Sequence, residues 1–357
     1  MESFVLGRQA LDSRVAPFAR VEQPFKSLDD VILAEDTRSE LVGLLHHLHR
    51  TEQEEDGALS GLVRVGRSLV LHIQGAPGTG KTLLIDALAG QMNRPVITVE
   101  ATKIAAASSS GLSENLERLF FEARQRGAIL AVDGAEALFA EGVGAGTAFM
   151  RFFETFDGMV MITSVANLGL AVERWIAYRV KLPIPSPELR ERLWRQHLPT
   201  DMEWSSDVDV TALAHPYELT GGQIRNSILL AMNRAMSQGK HPMLTQGILS
   251  RSAQDQLRAD VGDLGHKAGV HLAMDSLILP KKETAQIQEI LDACRVRTHV
   301  LSHWGFGKRI TTGRGMVLLF SGEPGTGKTL CAEILSSELE IPMFRVSVPR
   351  IMSKWVG

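Results

Sequence analysis

From Gly66 onward, apolar residues come in short continuous runs that alternate with stretches in which they recur every three or four positions. Leu69 to Ile73 is the first such run; a Gly/Pro-rich turn follows, then a stretch of helical spacing that ends near Gly90, and Pro95 opens another short run. Continuous aliphatic and β-branched runs bounded by turn residues read as strands buried on both faces, and three-to-four spacing reads as helix. The pattern goes on to predict a helix over Leu112 to Gln125, a strand over Ala128 to Val132, a second helix, and a strand over Met159 to Thr163. Such alternation implies an α/β fold, a parallel sheet with helices on both faces. At Ser186-Pro187-Glu188 a serine cap, a proline where a missing N–H costs nothing, and a carboxylate facing the macrodipole mark a helix start. Helical spacing continues through Asp209 to Ala214 and Gly222 to Met236, so a helical part is expected after Pro185.

The same pattern occurs twice. Gly66 to Val99 and Gly313 to Val346 align at a constant offset of 247, with 15 of 34 positions identical. Upstream, Ser27 to Leu45 resembles Ala273 to Leu291 at an offset of 246. One strand, loop, helix, strand unit is therefore used twice, and in the second copy Met316 to Phe320 is the expected first strand and the run after Pro342 the second.

A length of 357 residues suggests about two domains. The charge balance, 38 Lys+Arg against 41 Asp+Glu, gives a net −3 and lacks the basic surface a nucleic-acid partner needs. Two cysteines, Cys294 and Cys331, cannot build a disulfide framework, and Met1 to Arg20 has no apolar signal core, so a reducing, cytoplasmic setting is expected. Even Gly158 to Val172 is broken by Thr163, Ser164 and Asn167, so no membrane partner is expected.

The candidate chemistry lies in the two turns. Gly75-Ala76-Pro77-Gly78-Thr79-Gly80-Lys81-Thr82 and Gly322-Glu323-Pro324-Gly325-Thr326-Gly327-Lys328-Thr329 both satisfy G-x-x-x-x-G-K-[ST] between a strand and a helix. In such a loop the glycines let backbone amides wrap phosphates, the lysine reaches the β and γ groups, and the threonine hydroxyl ligates magnesium. A nucleoside triphosphate with Mg2+ is therefore the expected ligand, with Thr82 and Thr329 as candidate metal-site residues.

These loops and their surroundings resemble the AAA family of ATPases in its tandem-module form. The resemblance implies a P-loop NTPase sheet plus a helical lid subdomain. It divides the chain into an N-terminal extension (1–24), a nucleotide-binding subdomain (25–185), a lid (186–253), and a linker with the start of a second module (254–357). It also implies a homo-oligomeric ring that remodels a protein substrate. The resemblance makes ATP the expected nucleotide; Asp133, in Ile129-Leu-Ala-Val-Asp133-Gly134-Ala-Glu136, matches the Walker B aspartate that holds magnesium through water, but Gly134 stands where the family has the glutamate that polarises water. Glu136 is expected to point elsewhere. Ser164 follows Thr163 where the family has the first-sensor Asn. Arg174 matches the arginine finger, with a structural ion pair as the alternative, and Trp175 replaces a frequent second arginine. Arg225, in Gly221-Gly-Gln-Ile-Arg225-Asn226, matches the second-sensor segment.

Beyond its loop the first copy runs on for about 175 residues and the second for 35 (357 − 322), so a second module lacking about 140 residues is expected. The run Lys354-Trp355-Val356-Gly357 resembles the family's substrate-gripping pore loop, although an apolar strand end accounts for it equally. Two functions follow: a motor subunit whose first module binds ATP with little turnover, or a non-catalytic, nucleotide-dependent assembly module.

Overall fold

A computed structural model describes residues 11–53, 68–106, 111–140, 144–237, 242–261, 266–267, 274–302, 316–339, 341 and 343–345. It divides into two compact units, Met1–Leu193 with Thr220–Gly222, and Trp194–Leu219 with Gln223–Gly357.

In chain order the elements of the first unit begin with strand β1 (Ala19–Glu22), helix α1 (Glu35–Gln53), β2 (Leu69–Gly75), α2 (Lys81–Gln91) and β3 (Val96–Glu100). They continue with α3 (Ala101–Ala105), α4 (Leu112–Gln125), β4 (Ile129–Asp133), α5 (Glu136–Phe139), α6 (Gly144–Arg151), β5 (Met159–Ser164), α7 (Leu170–Glu173) and β6 (Ile176–Leu182). Helix α8 (Pro187–His197) starts where Ser186-Pro187-Glu188 predicts, and the Leu189 amide donates to Ser186 Oγ at 3.3 Å.

The six strands lie in the order β1-β3-β4-β5-β2-β6. Five are parallel, and β1 pairs antiparallel with β3, Ala19 opposite Val99 and Glu22 opposite Val96. The edge strand escapes sequence reading because Ala-Arg-Val-Glu alternates too briefly to register; yet Val15 and Phe18 beside it are buried.

Successive side chains of a strand face opposite ways, and here the two sets enter two cores. Val70, Val99, Leu130, Val132 and Ile162 pack with Leu116, Phe120, Phe149 and Phe153 of the α4–α6 side. Leu71, Ile73, Ala131 and Met161 pack with Leu41, Leu84 and Leu88 of the α1–α2 side. Each large aliphatic side chain so buried contributes roughly 1.5–3 kcal/mol. Phe120 gathers the aromatics of the first core, stacking on Phe152 with centroids 4.7 Å apart and meeting Phe156 at 5.1 Å. This two-sided burial holds the C-terminal ends of β2, β4 and β5 in register, and the site is built on those ends.

The second unit carries β7 (Glu203–Trp204), α9 (Val210–Ala214), α10 (Gly221–Ser237, whose first two residues belong to the first unit), β8 (Met243–Leu244) and α11 (Gln246–Val261). Asp209 caps α9 by accepting the Thr211 amide at 2.8 Å. Arg234 joins α10 to α11 through Asp255 at 2.5 Å and Ser252 at 3.1 Å. Then come β9 (His266–Lys267), α12 (Lys281–Ser302), α13 (Lys328–Glu338) and β10 (Phe344–Arg345). Ile287 and Leu291 of α12 form a small core with Cys331 and Leu335 of α13.

The second copy departs from its expected pattern. Met316 to Phe320 forms no strand, and Val317 and Leu319 are 92% and 93% exposed. Its counterpart β2 is hydrogen-bonded to β5 on one side and β6 on the other. The described residues of the second copy offer neither neighbour, and an apolar run without ladder partners does not hold a strand. The run after Pro342 does form β10, but it pairs antiparallel with β9, Phe344 opposite Lys267.

Candidate functional site

Strand β2 delivers the chain to Gly75 at its C-terminal end, and the loop closes into α2 at Lys81. Gly78 (φ +77°) and Gly80 (φ +99°) occupy the left-handed region, which costs a residue with a Cβ about 1–2 kcal/mol. A Cβ on Gly75 would lie 2.6 Å from the Leu182 carbonyl oxygen, and one on Gly78 would lie 2.6 Å from Thr220 Oγ1. The loop is tied internally by Thr79 Oγ1 donating to Ala76 O at 2.8 Å. Lys81 Nζ donates to Gly75 O at 2.7 Å and Ala76 O at 3.0 Å, so the ammonium sits against the loop's own carbonyls. Burial pushes the Lys81 ammonium below its ordinary range, and the carboxylates of Asp133 and Glu136 oppose that shift. Thr82 is exposed on the first turn of α2.

Next to the loop, the ends of β4 and β5 are cross-linked. Thr163 Oγ1 donates to Asp133 Oδ1 at 2.6 Å and accepts the Gly134 amide at 3.1 Å, while the Ala135 amide donates to Thr163 O at 2.9 Å. Asp133 is exposed, and its Oδ2 has no hydrogen bond among the described residues. Gly134 takes φ +67° and turns the chain into α5, where Glu136 Oε1 accepts the amide of Val165. Asp133 and Thr163 are thus brought together within electrostatic reach of Lys81, and the Glu136 carboxylate, bonded to Val165 just beyond β5, acts on the same lysine.

Ser164 is placed differently. Its hydroxyl donates to Ala166 O at 2.6 Å and meets His72 Nε2 at 2.6 Å. With its single proton on Ala166 O, Ser164 accepts from a His72 that carries its proton on Nε2 and leaves Nδ1 bare, in keeping with a buried Nδ1 that has no partner. Both side chains are buried, on the face of the sheet opposite Thr163 and Asp133. His72 was readable only as an odd histidine inside an apolar run. Arg174 is exposed, 5.1 Å from the Trp175 ring centroid, and the neighbouring ion pair joins Glu173 to Arg179 instead. Arg225 is exposed on α10 in the second unit, where burial, with Arg225 adding, holds the His197 imidazole below its ordinary range.

The second loop repeats the lysine and threonine bonds of the first. Lys328 Nζ donates to Gly322 O at 3.0 Å and Glu323 O at 2.7 Å, and Thr326 Oγ1 donates to Glu323 O at 2.9 Å. Gly325 (φ +85°) and Gly327 (φ +84°) match Gly78 and Gly80, while Pro324 and Thr329 match Pro77 and Thr82. Lys354, Trp355, Val356 and Gly357, which resemble a pore loop, lie outside the described residues. No group of three His, Cys, Asp or Glu suited to a metal ion exists among the described residues, and no described helix is long and apolar enough to cross a membrane.

The donor set fits a magnesium-bound triphosphate. Gly75 and Gly78 allow the close approach of Leu182 and Thr220 to the loop, Lys81 supplies a cation, and the Thr82 hydroxyl and the free Asp133 oxygen are hard ligands of the kind magnesium takes. When bound, the ion would neutralise phosphate charge.

Residues 71–167 and 318–357 match the family described as ATPase family associated with various cellular activities (AAA). Protein SAV of Sulfolobus acidocaldarius is 24% identical over 316 residues, covering 80% of this chain and 40% of that protein. The cell division cycle protein 48 homolog of Archaeoglobus fulgidus is 22% identical over 337 residues, 80% of this chain and 42% of that one. The chain thus spans less than half the length of these relatives. A structure solved for the structural basis of katanin self-assembly superposes with TM-score 0.54 at 19% identity over 66% of this chain and 87% of that one. The FIGL-1 AAA domain superposes with TM-score 0.55 at 15% identity, covering 70% and 94%. The glycine loop pinned by its own lysine and the strand ends locked beside it thus lie within residues 71–167, the longer of the two segments that match the AAA family of ATPases.

Proposed function

We propose that the first loop binds ATP with Mg2+ and that its turnover is slow. The observation that carries this reading is a loop lysine held on its own loop's carbonyls and within electrostatic reach of Asp133, with glycine at position 134 and so no side chain there to polarise water. Gly75, Pro77, Gly78, Thr79 and Gly80 shape the cradle, Lys81 meets the β and γ phosphates, and Thr82 and Asp133 hold the ion, the latter through water. Gly322 to Thr329 form a second such loop. In the same reading the chain is a subunit of a homo-oligomeric ring in the cytoplasm that acts on protein. Arg174, exposed and backed by Trp175, is offered to a neighbouring subunit, and Arg225 is a phosphate-responsive residue of the helical part. Ser164, bonded to Ala166 and His72, supports the loop after β5.

The vacant position 134 also favours a second reading, a nucleotide-dependent assembly module that performs no hydrolysis. Calorimetry with ATP and Mg2+, with and without Lys81→Ala, tests the common core of both. Uptake lost in the variant supports nucleotide binding at this loop, and absence of uptake by the wild-type chain sinks it. Steady-state phosphate release then separates slow motor from scaffold.

A further inference from the structure

Gly134 removes the side chain the family places after the Walker B aspartate, but it does not leave the site without a second carboxylate. Because Gly134 adopts φ +67°, the chain turns sharply as it leaves β4, and α5 opens with Glu136. The Glu136 carboxylate returns to the end of the neighbouring strand, where Oε1 accepts the amide of Val165, the first residue beyond β5. Strand β5 is the hydrogen-bonded neighbour of β2 as far as Ser164 opposite Gln74, so Val165 is the residue just past the last pair, as Gly75, which opens the glycine loop, is on β2. The Glu136 charge is felt at Lys81. Its Oε2 has no hydrogen bond among the described residues. One oxygen is thus anchored by a backbone donor while the other is free, on the strand ends that carry Asp133 and Thr163.

We propose that Glu136 is the group that polarises the attacking water in this chain, in place of the glutamate missing at position 134; the inference rests on the nucleotide site proposed above. A water oxygen forms a bond to the γ-phosphorus as the bond from that phosphorus to the β–γ bridging oxygen breaks. The bridging oxygen leaves with the electron pair on ADP, the Glu136 carboxylate takes one proton from the water, and inorganic phosphate carries the new oxygen. The protonated carboxyl then returns its proton to phosphate or solvent. Anchoring of one oxygen by Val165 keeps the other aimed without further ordering, the requirement for a positioned base.

Glu136→Gln and Glu136→Ala separate this role from a structural one. Glutamine keeps an oxygen for the Val165 amide, so its melting temperature, its ATP·Mg2+ affinity by calorimetry and the hydrogen-exchange protection of Val165 are expected to stay at wild-type values. Its single-turnover hydrolysis is expected to fall by about a hundredfold, the scale of a positioned base. Alanine is expected to lose Val165 protection as well. A Glu136→Gln protein that hydrolyses bound ATP at the wild-type rate overturns the proposal, as does a wild-type chain that binds ATP·Mg2+ but hydrolyses none. A wild-type chain that binds no ATP overturns instead the nucleotide-site reading beneath it.

Discussion

The amide of Gly222 donates to the carbonyl oxygen of Gly78 at 2.8 Å, which joins the glycine loop to the first turn of α10 through backbone alone. That N–H is one of the four at a helix start with no partner inside the helix, and Gly78 supplies one. The approach is close because both positions are glycine: a Cβ on Gly222 would lie 3.0 Å from the Gly78 Cα, and one on Gly78 would strike Thr220 Oγ1. Gly78→Ala combines that clash with a left-handed φ, which alone costs about 1–2 kcal/mol. It is expected to lower the melting temperature and weaken ATP binding. In the double variant Gly78→Ala, Thr220→Ala only the clash is relieved, so the melting temperature recovers in part; full recovery would show that the φ strain is negligible.

Lys81→Met removes the ammonium without removing its apolar stem. A hydrogen bond to a charged group is worth about 1.5–3 kcal/mol, so ATP affinity measured by calorimetry is expected to fall by about tenfold to a hundredfold. The equivalent Lys328→Met is expected to leave uptake at the first loop unchanged. Equal losses from the two single variants would mean that the loops do not bind independently.

The strand and helix pattern of the first unit was legible because strands buried on both faces have no polar interruptions: the runs at Leu69, Ala128 and Met159 became β2, β4 and β5. The glycine loops were legible because their chemistry needs a fixed spacing. Three features were not. Ala19–Glu22 is an edge strand made by its neighbour rather than by its own residues. Met316 to Phe320 has strand composition without strand partners. The return of Glu136 to Val165 depends on the sign of one φ, at Gly134, which no spacing encodes.

Thr163→Val tests the link between the strand ends. Its hydroxyl both donates to Asp133 and accepts from the Gly134 amide, so an isosteric methyl leaves a half-buried N–H without its partner and frees the carboxylate. The cost of an unsatisfied group is about 1–3 kcal/mol, to be read by denaturant unfolding. Asp133→Asn keeps an acceptor for Thr163 but loses the charge, so stability is expected to hold while the gain in ATP affinity on adding Mg2+ shrinks; an unchanged magnesium effect would remove Asp133 from the metal site.

His72 sets a pH dependence. Burial, with Arg179 adding, pushes its imidazole below the ordinary 6.5, while Glu173 and Glu136 oppose. The unfolded chain therefore binds more protons than the folded one once pH drops below about 6.5, and stability from this group is complete above that value and lost as pH falls toward the lower folded value. Melting temperatures compared at pH 7.5 and 5.5 are expected to show a drop that becomes smaller in His72→Gln, which keeps a donor for Ser164 but cannot titrate. An identical drop in both proteins would assign the effect to other groups, His197 first among them because its imidazole is shifted the same way.

Gly134→Glu restores the side chain that slow turnover is attributed to lacking. No atom lies within 4 Å of a Cβ placed there, so the substitution is not blocked by packing. Its cost is conformational, about 1–2 kcal/mol for a residue with a Cβ at φ +67° unless the turn into α5 relaxes. Relaxation would shift α5 and with it the Glu136 carboxylate, so the two acids are expected to interact rather than add. The variant is expected to bind ATP as the wild type does and to release phosphate at least about tenfold faster. Combining it with Glu136→Gln then decides which carboxylate does the work. A double variant as fast as Gly134→Glu alone means that position 134 has taken over, whereas one as slow as Glu136→Gln alone means that a carboxylate at 134 cannot reach the water from a left-handed backbone.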